Sequence, residues 1–235
     1  GTDPAGIAEI LYTVYFFPLT KSASALHSLS ISADIMVHAL KTVYNCSYDE
    51  IYNILSGFRI PSWITAEIII NSYNLPVESV VLLLAEKGLP LSKIIYTLTV
   101  KLKCQETVFI KSLLAINAQL SEIASVLYSY YKNSSGSVAE NLFKCGVPVK
   151  SILRIYGYLR LFRNRNSIVR QLYHSGADAG EIILSLKDLY HYREHNCFRL
   201  LFNAGAEPDI MAQAMSDVFK TGCEKISRYL KKAGY

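Results

Sequence analysis

Asp34-Ile35-Met36-Val37-His38-Ala39-Leu40-Lys41-Thr42-Val43-Tyr44-Asn45 aligns without a gap on Asp209-Ile210-Met211-Ala212-Gln213-Ala214-Met215-Ser216-Asp217-Val218-Phe219-Lys220, 175 residues further along the chain. That offset is six periods of 29 plus one residue. Self-similarity at a fixed period of this size is the signature of a repeat architecture. Carried outward from the two segments, the period places unit starts at Gly1, Ser30, Arg59, Gly88, Asn117, Gly146, Gly176 and Gly205, with Gly234 opening a ninth. Four residues before each following start stand Leu26, Leu55, Leu84, Leu113, Leu142, Leu172, Leu201 and Leu230, so every unit ends on the same apolar side chain.

Two further columns give the secondary structure. Six residues after each start come Ile7, Met36, Thr65, Ile94, Ile123, Ile152, Ile182 and Met211; ten after come Leu11, Leu40, Ile69, Leu98, Leu127, Tyr156, Leu186 and Met215. A spacing of four places both columns on one face of a helix. Thr65 is the poor member. Each unit reads as helix A, turn, helix B, turn. Helix A opens near Pro61, Pro90, Pro148 or Pro208, where a missing N–H costs nothing, and helix B closes on Gly88, Gly146, Gly176, Gly205, Gly234 or Asn117, residues that accept left-handed geometry. Helices this short are unstable alone, so each unit must bury its apolar face against its neighbours. The expected fold is all-α, an α-solenoid of about eight tandem two-helix repeats of 29–30 residues forming one domain over 1–235. Lys232-Ala233-Gly234-Tyr235 reads as the start of another unit, and the first unit lacks a polar cap, which suggests part of a longer array.

Two-helix repeats of this kind resemble the armadillo, HEAT and tetratricopeptide solenoids and the DNA-reading TAL-effector array. Gly205-Ala206-Glu207-Pro208 is similar to the Gly-Leu-Thr-Pro opening of a TAL repeat, and Ser47-Tyr48-Asp49-Glu50-Ile51 opens helix B in similar style. The period is shorter than in the first three families. The Gly-rich turn with which TAL arrays read bases has no counterpart, and no functional residue carries over. The resemblance implies right-handed stacking of the units.

Composition narrows the function classes. Apolar residues make up 51% and charged ones only 18%, which excludes a disordered chain. No segment approaches the roughly 18 apolar residues needed to span a bilayer, Ile7–Leu19 being broken by Glu9 and Pro18. Cys46, Cys104, Cys145, Cys197 and Cys223 are odd in number, widely spaced and without a CxxC, so they suggest free thiols and a reducing, intracellular compartment rather than disulfides or a zinc site. There is no dinucleotide fingerprint, P-loop, nucleophile elbow or HExxH, and nothing calls for a cofactor; the chain reads as non-enzymatic. His191, Glu194, His195 and Cys197 are the only cluster of ligand-type side chains, and the repeat register splits them across the turn between helices A and B.

Three features could carry binding. Fourteen residues after each start stand Tyr15, Tyr44, Tyr73, Leu102, Tyr131, Arg160, Tyr190 and Phe219, a column of rings that could either stack extended ligands or seal helix ends. Asn45, Asn74, Lys103, Lys132, His191 and Lys220 follow it, and such residues at a helix C-terminus also serve as caps. Second, residues 141–177 hold Lys144, Lys150, Arg154, Arg160, Arg163, Arg165 and Arg170 and no carboxylate, whereas the 178–235 segment balances 8 basic against 8 acidic; the whole net charge of +5 comes from this one unit and its edges. Lys150, Arg154 and Tyr158 share an exposed stripe of helix A, and Arg163-Asn164-Arg165-Asn166 is expected to form the next turn. Lys150, Arg154, Tyr158, Arg160, Arg163, Arg165 and Arg170 are therefore the candidate binding residues, suited to phosphate or an acidic partner. Third, Trp63 stands alone of its kind in the first turn of a helix A, where inter-unit packing is expected. The leading expectation is a scaffold that binds a protein or extended peptide on its curved surface. The alternative is nucleic-acid binding through the Arg-rich unit and the aromatic column. A spacer that associates end to end through apolar ends is the third possibility.

Overall fold

The structure, a computed structural model, describes residues 3–159 and 165–234. It is all-α: sixteen α-helices and no strand among the described residues. The contacts group into two compact units, Gly1–Ile116 and Asn117–Tyr235. In the first, α1 (Pro4–Thr13), α3 (Ala33–Tyr44), α5 (Ser62–Tyr73) and α7 (Leu91–Tyr96, continued by a π-helical turn Thr97–Lys101) are the A helices; α2 (Leu19–Ser28), α4 (Tyr48–Gly57), α6 (Val77–Glu86) and α8 (Glu106–Ala115) are the B helices. In the second, the A helices are α9 (Leu120–Ser129), α11 (Val149–Tyr158), α13 (Ala179–Tyr190) and α15 (Pro208–Phe219), and the B helices α10 (Ser135–Lys144), α12 (Arg165–His174), α14 (Glu194–Asn203) and α16 (Cys223–Ala233). Like packs on like: α1 on α3 on α5, α9 on α11 on α13 on α15, and α10 on α12 on α14 on α16. Such contacts between neighbours are consistent with a helical repeat.

The leucine column explains how each B helix ends. Leu26, Leu55, Leu84, Leu113, Leu142, Leu172 and Leu201 are buried, and Leu230 at the last helix is half-buried. Six of these leucines also accept, at the main-chain carbonyl, an N–H five residues on: Ile31, Ile60, Leu89, Val147, Ala177 and Ala206. This six-to-one bond is the Schellman closure, and it requires a left-handed residue between. That residue is the unit start in all six, at positive φ: Ser30, Arg59, Gly88, Gly146, Gly176 and Gly205; the unit starts Asn117 and Gly234 have positive φ as well. Ser30 and Arg59 adopt φ of 57° and 59° although a Cβ makes that geometry unfavourable by about 1–2 kcal/mol, so the surrounding packing imposes it.

Helix A ends in the same way one residue after the ring column. Phe16, Asn45, Asn74, Lys103, Lys132, His191 and Lys220 all have positive φ. The polar column of the sequence is thus a set of helix-ending residues, and the rings before it brace neighbouring units. Tyr44 donates to the Phe17 carbonyl at 2.9 Å and Tyr73 to the Cys46 carbonyl at 2.8 Å, while Tyr190 donates to Leu153. Lysines brace in the other direction. Lys41 reaches the Ser72 carbonyl at 2.5 Å and lies over the Tyr73 ring; Lys187 reaches Val218 at 2.8 Å and lies over Phe219. Each ammonium satisfies a carbonyl left open in the last turn of the next A helix. Trp63 is half-buried under Lys101 of the following unit, 4.3 Å from its ring centroid, as inter-unit packing requires.

Two substitutions test this packing. Thr65 is buried in a column otherwise filled by Ile and Met, and its hydroxyl has no partner. Thr65→Val, which keeps the shape and removes the stranded hydroxyl, is expected to raise stability by about 1 kcal/mol in urea unfolding; a loss would mean that the hydroxyl is satisfied after all. Gly157 in α11 faces the Tyr190 hydroxyl, 2.9 Å from where a Cβ would stand, and that hydroxyl is tied to Leu153. Gly157→Ala should therefore lower stability by about 1–3 kcal/mol through overpacking, although alanine is the better helix former. Gly57→Ala, which meets open space, should not.

Candidate binding surfaces of the second compact unit

The α11 stripe forms as the spacing predicts. Lys150, Arg154 and Tyr158 are all exposed, and Tyr158 is 84% accessible. Arg154 and Tyr158 line a pocket of about 400 Å³ with Gln119, Leu120, Ser121, Ser151 and Ile155. Lys150 pairs with Asp188 of α13 at 2.7 Å, and this ion pair holds the Asp188 carboxyl below its usual range. The pair sits on the outer face of the A helices. Further along that face α15 contributes a second pocket of about 450 Å³, lined by Asp178, Ala179, Gly180, Asp209, Ile210, Gln213, Ala214 and Asp217.

The remaining basic residues lie elsewhere. Arg160 and Arg163 fall outside the described residues. Arg165 and Asn166 do not form a turn, as the sequence led us to expect, but the first turn of α12. The physical reason is inward Ile168, which together with Val169 and Leu172 is fully buried and needs a helical turn before it. Arg165 and Arg170 therefore belong to the B layer, not to the stripe of Arg154. Arg165 donates to the Tyr192 hydroxyl and lies 5.5 Å from its ring centroid. Between α12 and α14 is a cleft of about 630 Å³ lined by Arg165, Asn166, Ser167, Tyr192, Asn196, Arg199, Leu200 and Asn203, without a carboxylate.

Sequence reasoning missed Arg199 and Arg228 because it summed charge along the chain. In 178–235 the sum is balanced, but the layers are not. Asp178, Glu181, Asp188, Glu207, Asp209 and Asp217 lie on or cap A helices with Lys187 among them, whereas Arg199, Lys225, Arg228, Lys231 and Lys232 lie on B helices with Glu194 and Glu224. The available signal was the repeat itself: Arg170, Arg199 and Arg228 each stand six residues before a unit start.

The ring column is not an open ladder. Tyr15 is 60% exposed, but Tyr44, Tyr73, Tyr131 and Tyr190 are half-buried, and burial raises the hydroxyl pKa of Tyr73 and Tyr190. The His191 cluster is dispersed as its register implies. His191 is the left-handed residue ending α13, His195 is exposed on α14, and Cys197 is buried, its thiol pushed up to about 12. Among the described residues no group of three or more His, Cys, Asp or Glu side chains could hold a metal, and all five cysteines are free. No helix among them is long and apolar enough to cross a membrane. Comparison of the chain with known protein families, with curated proteins and with solved structures finds no match.

Glu194, from the same cluster, is a structural clamp between α14 and α16. Burial acts to raise its pKa, but Lys225 and Thr221 hydrogen-bond to the carboxylate and hold it below the ordinary 4.5. A carboxylate whose native pKa is depressed stabilises the fold above its unfolded pKa and loses that contribution as pH falls through the native one. Stability should therefore drop on acidification from about pH 5 to 3, and Glu194→Gln should flatten that limb while lowering stability at pH 7. Parallel urea curves for both proteins at pH 7 and pH 4 check it; an unchanged pH difference in the variant would discount the clamp.

Proposed function

We propose that the chain is a non-enzymatic α-solenoid, four two-helix repeats in each compact unit, that binds an extended peptide segment of a partner protein along the outer face of its A helices. The observation that carries this reading is the composition of that face in the second unit. Tyr158, Leu184 and Ile210 keep large apolar side chains 84%, 46% and 40% accessible on the outward stripe of α11, α13 and α15. Exposed apolar groups rimmed by charge are the usual mark of a protein interaction surface. The rim is graded: Lys150 and Arg154 stand at the α11 end, and Asp209 and Asp217 at the α15 end. A peptide with an acidic end, an apolar middle and a basic end complements that order. The three apolar groups stand at different positions of their repeats, each on the exposed side of its A helix, so together they offer a staggered line of apolar contacts to an extended ligand.

The test is selection of peptides from a random display library against the purified chain, followed by affinity measurement on variants. Selected peptides should place an acidic residue and an apolar anchor at the α11 end. Tyr158→Ala should weaken binding by about thirtyfold, the size of a central aromatic anchor, and Arg154→Glu should weaken it further at low salt. Selected peptides that bind both variants as well as the parent protein would overturn the assignment to this face.

A further inference from the structure

We propose that the outer face of the B helices α12, α14 and α16 is a separate binding surface for single-stranded nucleic acid, independent of the peptide surface on the A layer. Its core is a ladder. Arg170, Arg199 and Arg228 occupy the same position of three successive B helices, all three are exposed, and none meets a carboxylate among the described residues. Helices stacked in this way lie about 8–10 Å apart, so the three guanidinium groups form a row with one step per repeat.

What stands beside each arginine distinguishes the ligand. Three and four residues further on, and so on the same helix face, α12 carries Tyr173 and His174, α14 carries Phe202 and Asn203, and α16 carries Lys231 and Lys232. His174, Asn203, Lys231 and Lys232 are exposed; Phe202 is 36% accessible and Tyr173 is half-buried. Two of the three rungs therefore pair a cation with a flat ring and a side chain able to hydrogen-bond. The polar cleft between α12 and α14 opens beside Arg199 and Asn203, and its amides, hydroxyls and guanidinium groups can contact the edges of a base. Its volume of about 630 Å³ is within the usual range for a small-ligand site.

Cations in a row attract any polyanion, but rings and amides between them fit unstacked bases. That combination is how single strands are held: phosphates on the basic groups, bases on the aromatic faces. A duplex hides its bases and would use only the cations. An acidic or phosphorylated peptide would leave the rings and the cleft unused. The distribution of charge between layers supports the same reading: six of the segment's eight carboxylates lie on or cap the A helices, and of the two on the B helices Glu194 is paired with Lys225 and Glu224 stands in the first turn of α16, neither of them bonded to an arginine of the row.

The test is fluorescence anisotropy with a mixed-sequence single-stranded oligonucleotide of about 12 nucleotides, titrated at several salt concentrations against the full chain. Binding should weaken with salt with a log–log slope of about −2, as three phosphate contacts require. The Arg170→Glu/Arg199→Glu/Arg228→Glu variant should bind at least about tenfold more weakly, with its helical circular dichroism unchanged. Phe202→Ala should weaken binding at a constant salt slope, which separates stacking from charge. Lys150→Glu/Arg154→Glu on the A layer should leave oligonucleotide affinity unaltered, so failure of this surface and failure of the peptide surface read out separately. Three results would overturn the proposal: no binding at low salt, full binding by the triple variant, or equal affinity for the oligonucleotide, a matching duplex and polyglutamate.

Discussion

The left-handed residue that closes each B helix is the constraint on which the rest of this structure depends. It turns the chain so that the leucine four residues earlier can bury its side chain while its carbonyl accepts the N–H beyond the turn. Where glycine stands there the turn costs little. Where Ser30 and Arg59 stand there the same turn is made against the preference of a Cβ. In seven repeats, among the described residues, helix A is followed by a second left-handed residue, so those repeats hold two fixed reversals about half a period apart. Helix length, the outward stripe and the stacking of like helices follow from where those reversals fall.

The repeats are then tied to their neighbours by polar groups as well as apolar ones. Tyrosines at the ends of A helices donate backward to main-chain carbonyls, and Lys41 and Lys187 donate forward to the last turn of the next helix. Each bond satisfies a backbone group that a helix end or a turn leaves open, and each ties two units in a fixed register. Gly157 shows how closely this is fitted, since the Tyr190 brace occupies the space its Cβ would need. Tyr44, Tyr73 and Tyr190, column residues that look suited to ligands in the sequence, are used in this bracing.

The outer helix faces differ in character in the second compact unit. The A helices α13 and α15 gather carboxylates around Leu184 and Ile210, and the B helices α12, α14 and α16 gather Arg170, Arg199 and Arg228. Two short helices in one period alternate between the layers, so charges that balance along 178–235 need not balance within either layer. Burial of Ile168, Val169 and Leu172 decides that Arg165 and Arg170 belong with Arg199 rather than with Arg154.

Periodicity by itself determined much of this protein. The leucine column, the apolar columns from Met36 to Met215, and the Gly or Asn at unit starts were enough to place the helices and their buried faces, because helical spacing and the left-handed preference of glycine are local properties of the chain. Thr65 was also recognisable as the weak point of its column. The tertiary structure alone decided that Ser30 and Arg59 take the same turn, that Tyr44, Tyr73 and Tyr190 brace neighbouring repeats, and that the basic residues divide between two layers. Those outcomes depend on distances between residues about one repeat apart, set by how the helices pack, and no single repeat records what the next one will place against it.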